Sequence, residues 1–345
     1  MSAVTGSVLH RLVAASLGED RAGTLLEGMV LHPSLLDPVG DGVPRAVLAQ
    51  ALGVLLTDDL IRAVPSGGAY VRDRLAAGEK VFLDHGAVRT VRGLPCGALP
   101  EGQESVTRVL AALGYGHTFT YELTALRMTG RSWCHLDLPA DVPQYFVSEL
   151  HAERFSEPFR QAAARVLATS RDPLDDGARA DLAALAADGS LPLDRAASLL
   201  GFLVACFARQ HDLPAVADYE LLLAESAEMA WIATEGTVFN HATDRVPDVA
   251  ALAEAERQAG RPIKDAVEVS GSGRILQTAH RAAIVERELR DGTGAPVLRH
   301  VPGSFFEFIT RLPLPDGSGV DLAFDAANAQ QIFAMTRRPG AAGLA

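Results

Sequence analysis

The stretch Val81-Phe82-Leu83-Asp84-His85-Gly86-Ala87-Val88-Arg89-Thr90-Val91-Arg92 decides how this chain is read. It is rich in β-branched residues and reads as a strand. Side chains alternate along a strand, so His85, Ala87 and Arg89 share one face. An imidazole and a guanidinium then stand together with only a methyl between them. The first can bind a metal, and the second can grip a carboxylate through two hydrogen bonds. The plainer alternative is a His and an Arg on a solvated strand face.

Working outward, a helix is expected over 105–113, a loop over 114–116, and strands over 117–125, 132–138 and 145–150. The order is strand, helix, three strands: a βαβββ unit spanning 81–152. Strand character returns over 236–243, followed by a helix over 249–259 and strands over 266–270, 277–288, 305–312 and 320–324. This is a second such unit, over 233–338. The two share no convincing sequence identity, yet their order suggests an internal structural repeat. Residues 1–80 read as a helical N-terminal segment, with an apolar helix over 46–56 and Asp58 and Asp59 opening the next one. Residues 153–232 read as a helical insertion, punctuated by Asp172-Pro173 and Ser190-Leu191-Pro192. The Gly- and Ala-rich tail after Arg338 reads as disordered. The expectation is one α+β catalytic domain, 1–345.

Composition narrows the function. The 345 residues carry 31 Lys+Arg against 43 Asp+Glu, a net charge of -12, with 48% hydrophobic residues. An acidic chain repels phosphate, so nucleic acid is not an expected partner. The apolar run 196–208, closed by Arg195 and Arg209, falls short of the roughly 20 residues that cross a bilayer, so no membrane partner is expected either. No basic-led apolar leader opens the chain, and a cytoplasmic location is expected. Cys96, Cys134 and Cys206 are odd in number and form no CxxC, which argues against a disulfide framework or a thiolate zinc site. GxGxxG before a helix, GxxxxGK[ST], GxSxG and HExxH are all missing.

Two further segments could carry chemistry. His241 follows the apolar approach Phe239-Asn240, and can be a ligand or a packing residue. Glu307, in Ser304-Phe305-Phe306-Glu307-Phe308-Ile309, shares its strand face with Phe305 and Ile309. A carboxylate on an apolar face is costly unless it is paired or bound to a metal. Its alternative is an ion pair with Arg311 or another basic residue. Two His and one Glu on three strands make a 2-His-1-carboxylate set, which leaves open positions on a six-coordinate metal. His117, His135 and His151 are read as ordinary structural histidines.

At these residues the chain resembles the 2-oxoadipate dioxygenase/decarboxylases, which form D-2-hydroxyglutarate in lysine breakdown. The resemblance rests on the ordered set 84–90, Phe146-Val147-Ser148-Glu149-Leu150, Phe239-Asn240-His241, Gln277-Thr278-Ala279, Pro302-Gly303-Ser304-Phe305-Phe306-Glu307-Phe308 and 326–333. It implies a vicinal-oxygen-chelate-like fold of paired βαβββ units forming a half-open barrel. It implies Fe(II), or another divalent metal, held by His85, His241 and Glu307. Arg89 would match the substrate-binding arginine, and Ala327 and Asn328 the substrate loop, where the family tends to carry a small hydroxyl residue in place of Asn328. The implied reaction takes a 2-oxo acid, 2-oxoadipate first, and O2 to a 2-hydroxy acid and CO2 by intramolecular hydroxylation. Two rivals stay open: an oxygen-independent metal-dependent isomerase or lyase of the same fold, and a non-catalytic binding protein.

Overall fold

The N-terminal segment folds as helices because its apolar residues recur at helical spacing. In the computed structural model, which describes residues 4–38, 40 and 42–326, it forms α1 (Val8–Leu17), α2 (Glu19–Glu27), the short strand β1 (Val43–Pro44), α3 (Arg45–Ala63) and α4 (Pro65–Ala76). The expected helix start at Asp58-Asp59 is wrong, because α3 runs through both. The buried Asp58 carboxylate is neutralised by Arg21 at 2.6 Å and Arg62 at 3.2 Å, so it sits inside the helix without breaking it. The break comes at Pro65, whose ring drives Val64 into an extended conformation.

The first βαβββ unit is β2 (Leu83–Arg92), α5 (Glu104–Ala112), β3 (Tyr115–Leu123), β4 (Met128–His135) and β5 (Gln144–His151). The helical stretch that follows holds α6 (Glu157–Leu167), α7 (Asp176–Asp188), β6 (Ser190–Leu191), α8 (Leu193–Ala205), α9 (Val216–Glu225) and α10 (Ala227–Glu235), with β6 pairing back onto β1. The second unit is β7 (His241–Arg245), α11 (Val249–Gln258), β8 (Glu268–Val269), β9 (Ile275–Ala279), β10 (Ile284–Arg290), β11 (Pro296–Pro302) and β12 (Phe305–Arg311).

Eight strands form one sheet, in the order β3-β4-β5-β2-β7-β12-β9-β8, curled into a half-open barrel. Each unit places its last strand parallel to its first: β5 beside β2, and β12 beside β7. The units join through the antiparallel pair β2–β7. The sheet therefore repeats about this seam, as the element order suggested.

Three strand expectations need correction. The strand expected over 277–288 is two strands. β9 ends at Ala279, the buried His280 hydrogen-bonds Glu256 at 2.8 Å, and β10 leaves the sheet to pair with β11 as a separate hairpin. The strand over 236–243 begins only at His241, because Gly236 ends α10 with φ 70° and a loop intervenes. Residues 321–325 are not a strand; the Arg311 guanidinium takes the carbonyls of Asp321 and Ala323, both at 2.8 Å, in place of a ladder partner. Ala327 and Asn328 lie outside the described residues. Among the described residues no helix is long and apolar enough to cross a membrane.

Alternation along β12 divides the two sides of the sheet. Phe306 and Phe308 pack on Tyr70 of α4, with ring centroids 5.6 and 4.7 Å away. Phe305 and Glu307 face the other way. The Tyr70 hydroxyl also donates to Asp244 Oδ2 at 2.6 Å, while the Phe82 N–H donates to Oδ1 at 2.8 Å. Burial outweighs these bonds and raises the Asp244 carboxyl to about 7. A pKa raised on folding stabilises the native state below the unfolded value, near 3.9, and the stabilisation is lost as pH rises through about 7. Urea unfolding at pH 5 and pH 8 should therefore show wild type losing stability relative to Asp244→Asn as pH rises, by at most about 1.4 kcal/mol per pH unit. Identical pH profiles for the two proteins would refute this.

Candidate metal centre

Register brings the three candidate ligands together. Across the β2–β7 seam, His85 stands opposite Thr243 and Ala87 opposite His241. Along β7 and β12, Phe305 stands beside His241 and Glu307 beside Thr243. Neighbouring strands lie about 4.8 Å apart, so side chains on one face of three adjacent strands can converge. Glu307 Oε2 lies 3.1 Å from His85 Nε2 and 3.3 Å from His241 Nε2, and the two imidazole nitrogens are 3.3 Å apart. Thr243 donates to the same carboxylate oxygen at 2.6 Å. All three residues are buried, and one ligand atom from each lies within 4.8 Å of the others.

Glu307 does not pair with Arg311; the basic groups that meet it are His85 and His241. Arg311 turns instead to Asp84, and Glu307 is left to the histidines. Burial pushes the Glu307 carboxyl up, but His241, His85 and Thr243 outweigh it and hold it below the usual range. Burial drives the His241 imidazole down to about 3; His85 and Arg89 add to the fall and Glu307 opposes it. For His85, burial lowers the pKa, but hydrogen bonds to Asp84 and Glu307 prevail and raise it. The set thus holds a carboxylate anion beside a neutral imidazole with a lone pair to give. Glu307 Oε1 and His241 Nδ1 are buried without a hydrogen-bond partner among the described residues. Orphaned polar atoms in so dry a place cost energy unless something binds there. A divalent cation fits this donor set, since two imidazoles and a carboxylate are hard-to-borderline ligands for such ions.

The repeat also explains why there are three ligands. Where the second unit pairs Thr243 with Glu307, the first pairs Ala87 with Phe146. His85 and His241 occupy matching positions, so Phe146 stands at the counterpart of Glu307. An apolar ring replaces a fourth ligand.

The triad lines a small cavity, whose wall also includes Phe146, Ser148, Asn240, Gln277, Phe324 and Asp325. Phe324 lies edge-on to His85 at 4.8 Å and 5.1 Å from Phe146. Asp325 accepts from the Gly271 N–H at 2.9 Å. Arg89 is fully buried, with its guanidinium carbon 4.7 Å over the Trp231 ring. It lines a second cavity rather than the triad's own. Burial lowers its pKa to about 10, which leaves it a cation at neutral pH. The expected substrate-loop residues Ala327 and Asn328 are not described. His117, His135 and His151 have local partners in Thr120, the Asp137 and Leu138 N–H groups, and Thr129 with Glu153.

Sequence reasoning missed Asp84, Phe324 and Asp325. Asp84 adjoins His85, and alternation would place it on the opposite face. Phe324 ends a segment read as strand, and Asp325 follows it.

A family model for 2-oxoadipate dioxygenase/decarboxylase matches residues 56–334. The crystal structure of a glyoxalase-superfamily protein from Ralstonia eutropha is similar at 50% identity and TM-score 0.89, covering 92% of this chain and 98% of that one. The hydroxyglutarate synthase of Oryza sativa, solved in complex with 2-oxoadipate, is 17% identical, with TM-score 0.65 and coverage of 88% and 97%. That of Pseudomonas putida, also solved with 2-oxoadipate, is 18% identical, with TM-score 0.61 and coverage of 86% and 74%. At such identities the two synthases speak for the fold alone. No curated protein matches.

If the triad binds metal, adding Co(II) or Mn(II) to metal-free protein should raise Tm, as binding to the native state alone adds about 2.7 kcal/mol at 100 times Kd. His241→Ala should show no such rise in differential scanning fluorimetry. Equal shifts in both proteins would place the metal elsewhere.

Proposed function

The chain belongs to the 2-oxoadipate dioxygenase/decarboxylase family, and from that premise we propose that it is an Fe(II)-dependent enzyme that converts 2-oxoadipate and O2 to 2-hydroxyglutarate and CO2. The observation that carries this reading is the buried His85, His241 and Glu307 set, inside the segment that the family model spans. The balance closes without a second oxidisable substrate: the substrate's C1 carboxylate leaves as CO2, one oxygen atom of O2 completes the new carboxylate at the former keto carbon, and the other becomes the 2-hydroxyl. Bound Fe(II) would supply a Lewis-acidic template and the redox chemistry of O2.

The chain's own residues provide the rest. Glu307 and the two histidines offer one negative charge to the metal and leave positions open for substrate and O2. Arg89 sits four residues beyond His85 on one face of β2, about 13 Å at 3.3 Å per residue. Its long side chain supplies a fixed positive charge toward which a substrate carboxylate can be drawn. Its place at the second cavity suits the far end of an extended dicarboxylate better than the end at the metal. Ala87 leaves room between imidazole and guanidinium, while Phe146 and Phe324 exclude water from the reacting end. Ala327 and Asn328 are proposed as further substrate contacts.

The oxygen-independent reading needs a fourth protein ligand or a free carboxylate base. Phe146 stands where the ligand would be, and Asp325 is engaged by the Gly271 N–H, so that reading has less support.

Oxygen uptake by Fe(II)-loaded protein with 2-oxoadipate, with products read by mass spectrometry, tests the proposal. The expected result is one CO2 and one 2-hydroxyglutarate per O2. Uptake with another 2-oxo acid alone would change the substrate; none with any 2-oxo acid would sink the oxygenase reading. Arg89→Ala should raise KM at least tenfold with iron content unchanged, and loss of iron would contradict its role.

A further inference from the structure

We propose that Asp84 and Arg311 are positioning residues: together they aim His85 at the metal and tie that aim to the segment roofing the cavity. The inference rests on the reading of His85, His241 and Glu307 as ligands.

The chain reaches this arrangement through an irregularity. Leu83 pairs with Asp244 and His85 with Thr243, so Asp84 is the extra residue of a β-bulge. In a regular strand Asp84 would point away from His85. A bulge bends the strand and re-aims a side chain, and here Asp84 Oδ1 lies 2.7 Å from His85 Nδ1. An ionised carboxylate can only accept, so Nδ1 carries the hydrogen, and Nε2, which faces Glu307 and His241, is the nitrogen left to ligate a metal. This is the outer-shell bond that fixes tautomer and ring orientation in metal-binding histidines.

Asp84 is fully buried, and two arginines balance its charge. Arg245 Nε donates to Oδ2 at 2.6 Å; Arg311 donates through Nε to Oδ2 and through Nη2 to Oδ1, each at 2.9 Å. Arg311 also faces a second way. Its Nη1 donates to the carbonyls of Asp321 and Ala323, both at 2.8 Å. The next residue is Phe324, whose ring stands against His85 and whose N–H donates to the Tyr121 hydroxyl at 2.9 Å. One rigid guanidinium thus joins the residue that orients His85 to the segment that covers it. A displacement of that segment is felt at Asp84, and through Asp84 at the ligand.

A network that merely stabilises the fold would alter the stability of metal-free protein and leave metal affinity unchanged. The test is Co(II) titration of metal-free full-length protein, followed by visible absorption, with circular dichroism and the Tm of each metal-free variant recorded alongside. Asp84→Asn has one acceptor oxygen for two arginines and an imidazole. Its amide N–H turns to His85, and the ring shifts to the tautomer protonated on Nε2. The Kd for Co(II) should rise about 10- to 100-fold. Arg311→Lys keeps the charge but cannot span Asp84 and both carbonyls, and should raise Kd severalfold. A folded Asp84→Asn with wild-type Kd overturns the proposal. Should Asp84→Asn fail to fold, Arg311→Lys decides, and an unchanged Kd there overturns it. No Co(II) binding by wild type would sink the ligand reading itself, a failure distinct from unaltered binding in the variants.

Discussion

Gly86 and Ala242 face each other across the seam between β2 and β7, and the metal centre depends on that register. One step to either side, the seam sets His85 opposite Thr243 and His241 opposite Ala87. A slip of one residue would turn one histidine to the opposite face, because strand side chains alternate. The Phe239 ring holds the register from one side: a Cβ on residue 86 would come within 2.2 Å of it, so only glycine lets that ring lie so close. Phe239 in turn packs on Tyr145 and Phe207, which links the seam to the core.

Burial then sharpens the chemistry. Glu307 lies among side chains that exclude water, and its charge is met by imidazoles rather than by a guanidinium. Arg311, the nearest candidate along β12, is taken by Asp84, and Asp84 is also shared by Arg245 and His85. Had Arg311 paired with Glu307, the carboxylate would have been spent on a salt bridge. The bulge at Asp84 therefore shapes two things together: it orients one ligand and keeps another available. The unlike residues at matching places in the repeat, Glu307 and Phe146, leave the candidate site with three protein donors and put an aromatic ring on the cavity wall in place of a fourth.

Much of this was legible before any coordinates. The strand-helix-strand order of both units can be read from β-branched runs and turn residues, and the site trio from polar residues on otherwise apolar strands. The misread elements have local causes. The break after Ala279 leaves no local signal, since the buried His280 there bonds to Glu256, a partner 24 positions away. Arg311 reads as a salt-bridge partner for Glu307 because the two share a strand face, whereas its partner, Asp84, lies 227 positions away. Residues 320–324 have a strand's composition, yet the Asp321 and Ala323 carbonyls bond to the Arg311 side chain.

Residue pattern alone marks where most of the strands lie, which face each side chain takes within a regular strand, and that a carboxylate at position 307 needs a charged or metal partner. Those are consequences of backbone geometry and desolvation, both local. Only the tertiary structure decided which strands are neighbours, in what register, and which of the available charges Glu307 and Arg311 meet. A period of two specifies a face but not a partner, and a bulge that shifts one residue leaves no mark in the pattern of side chains.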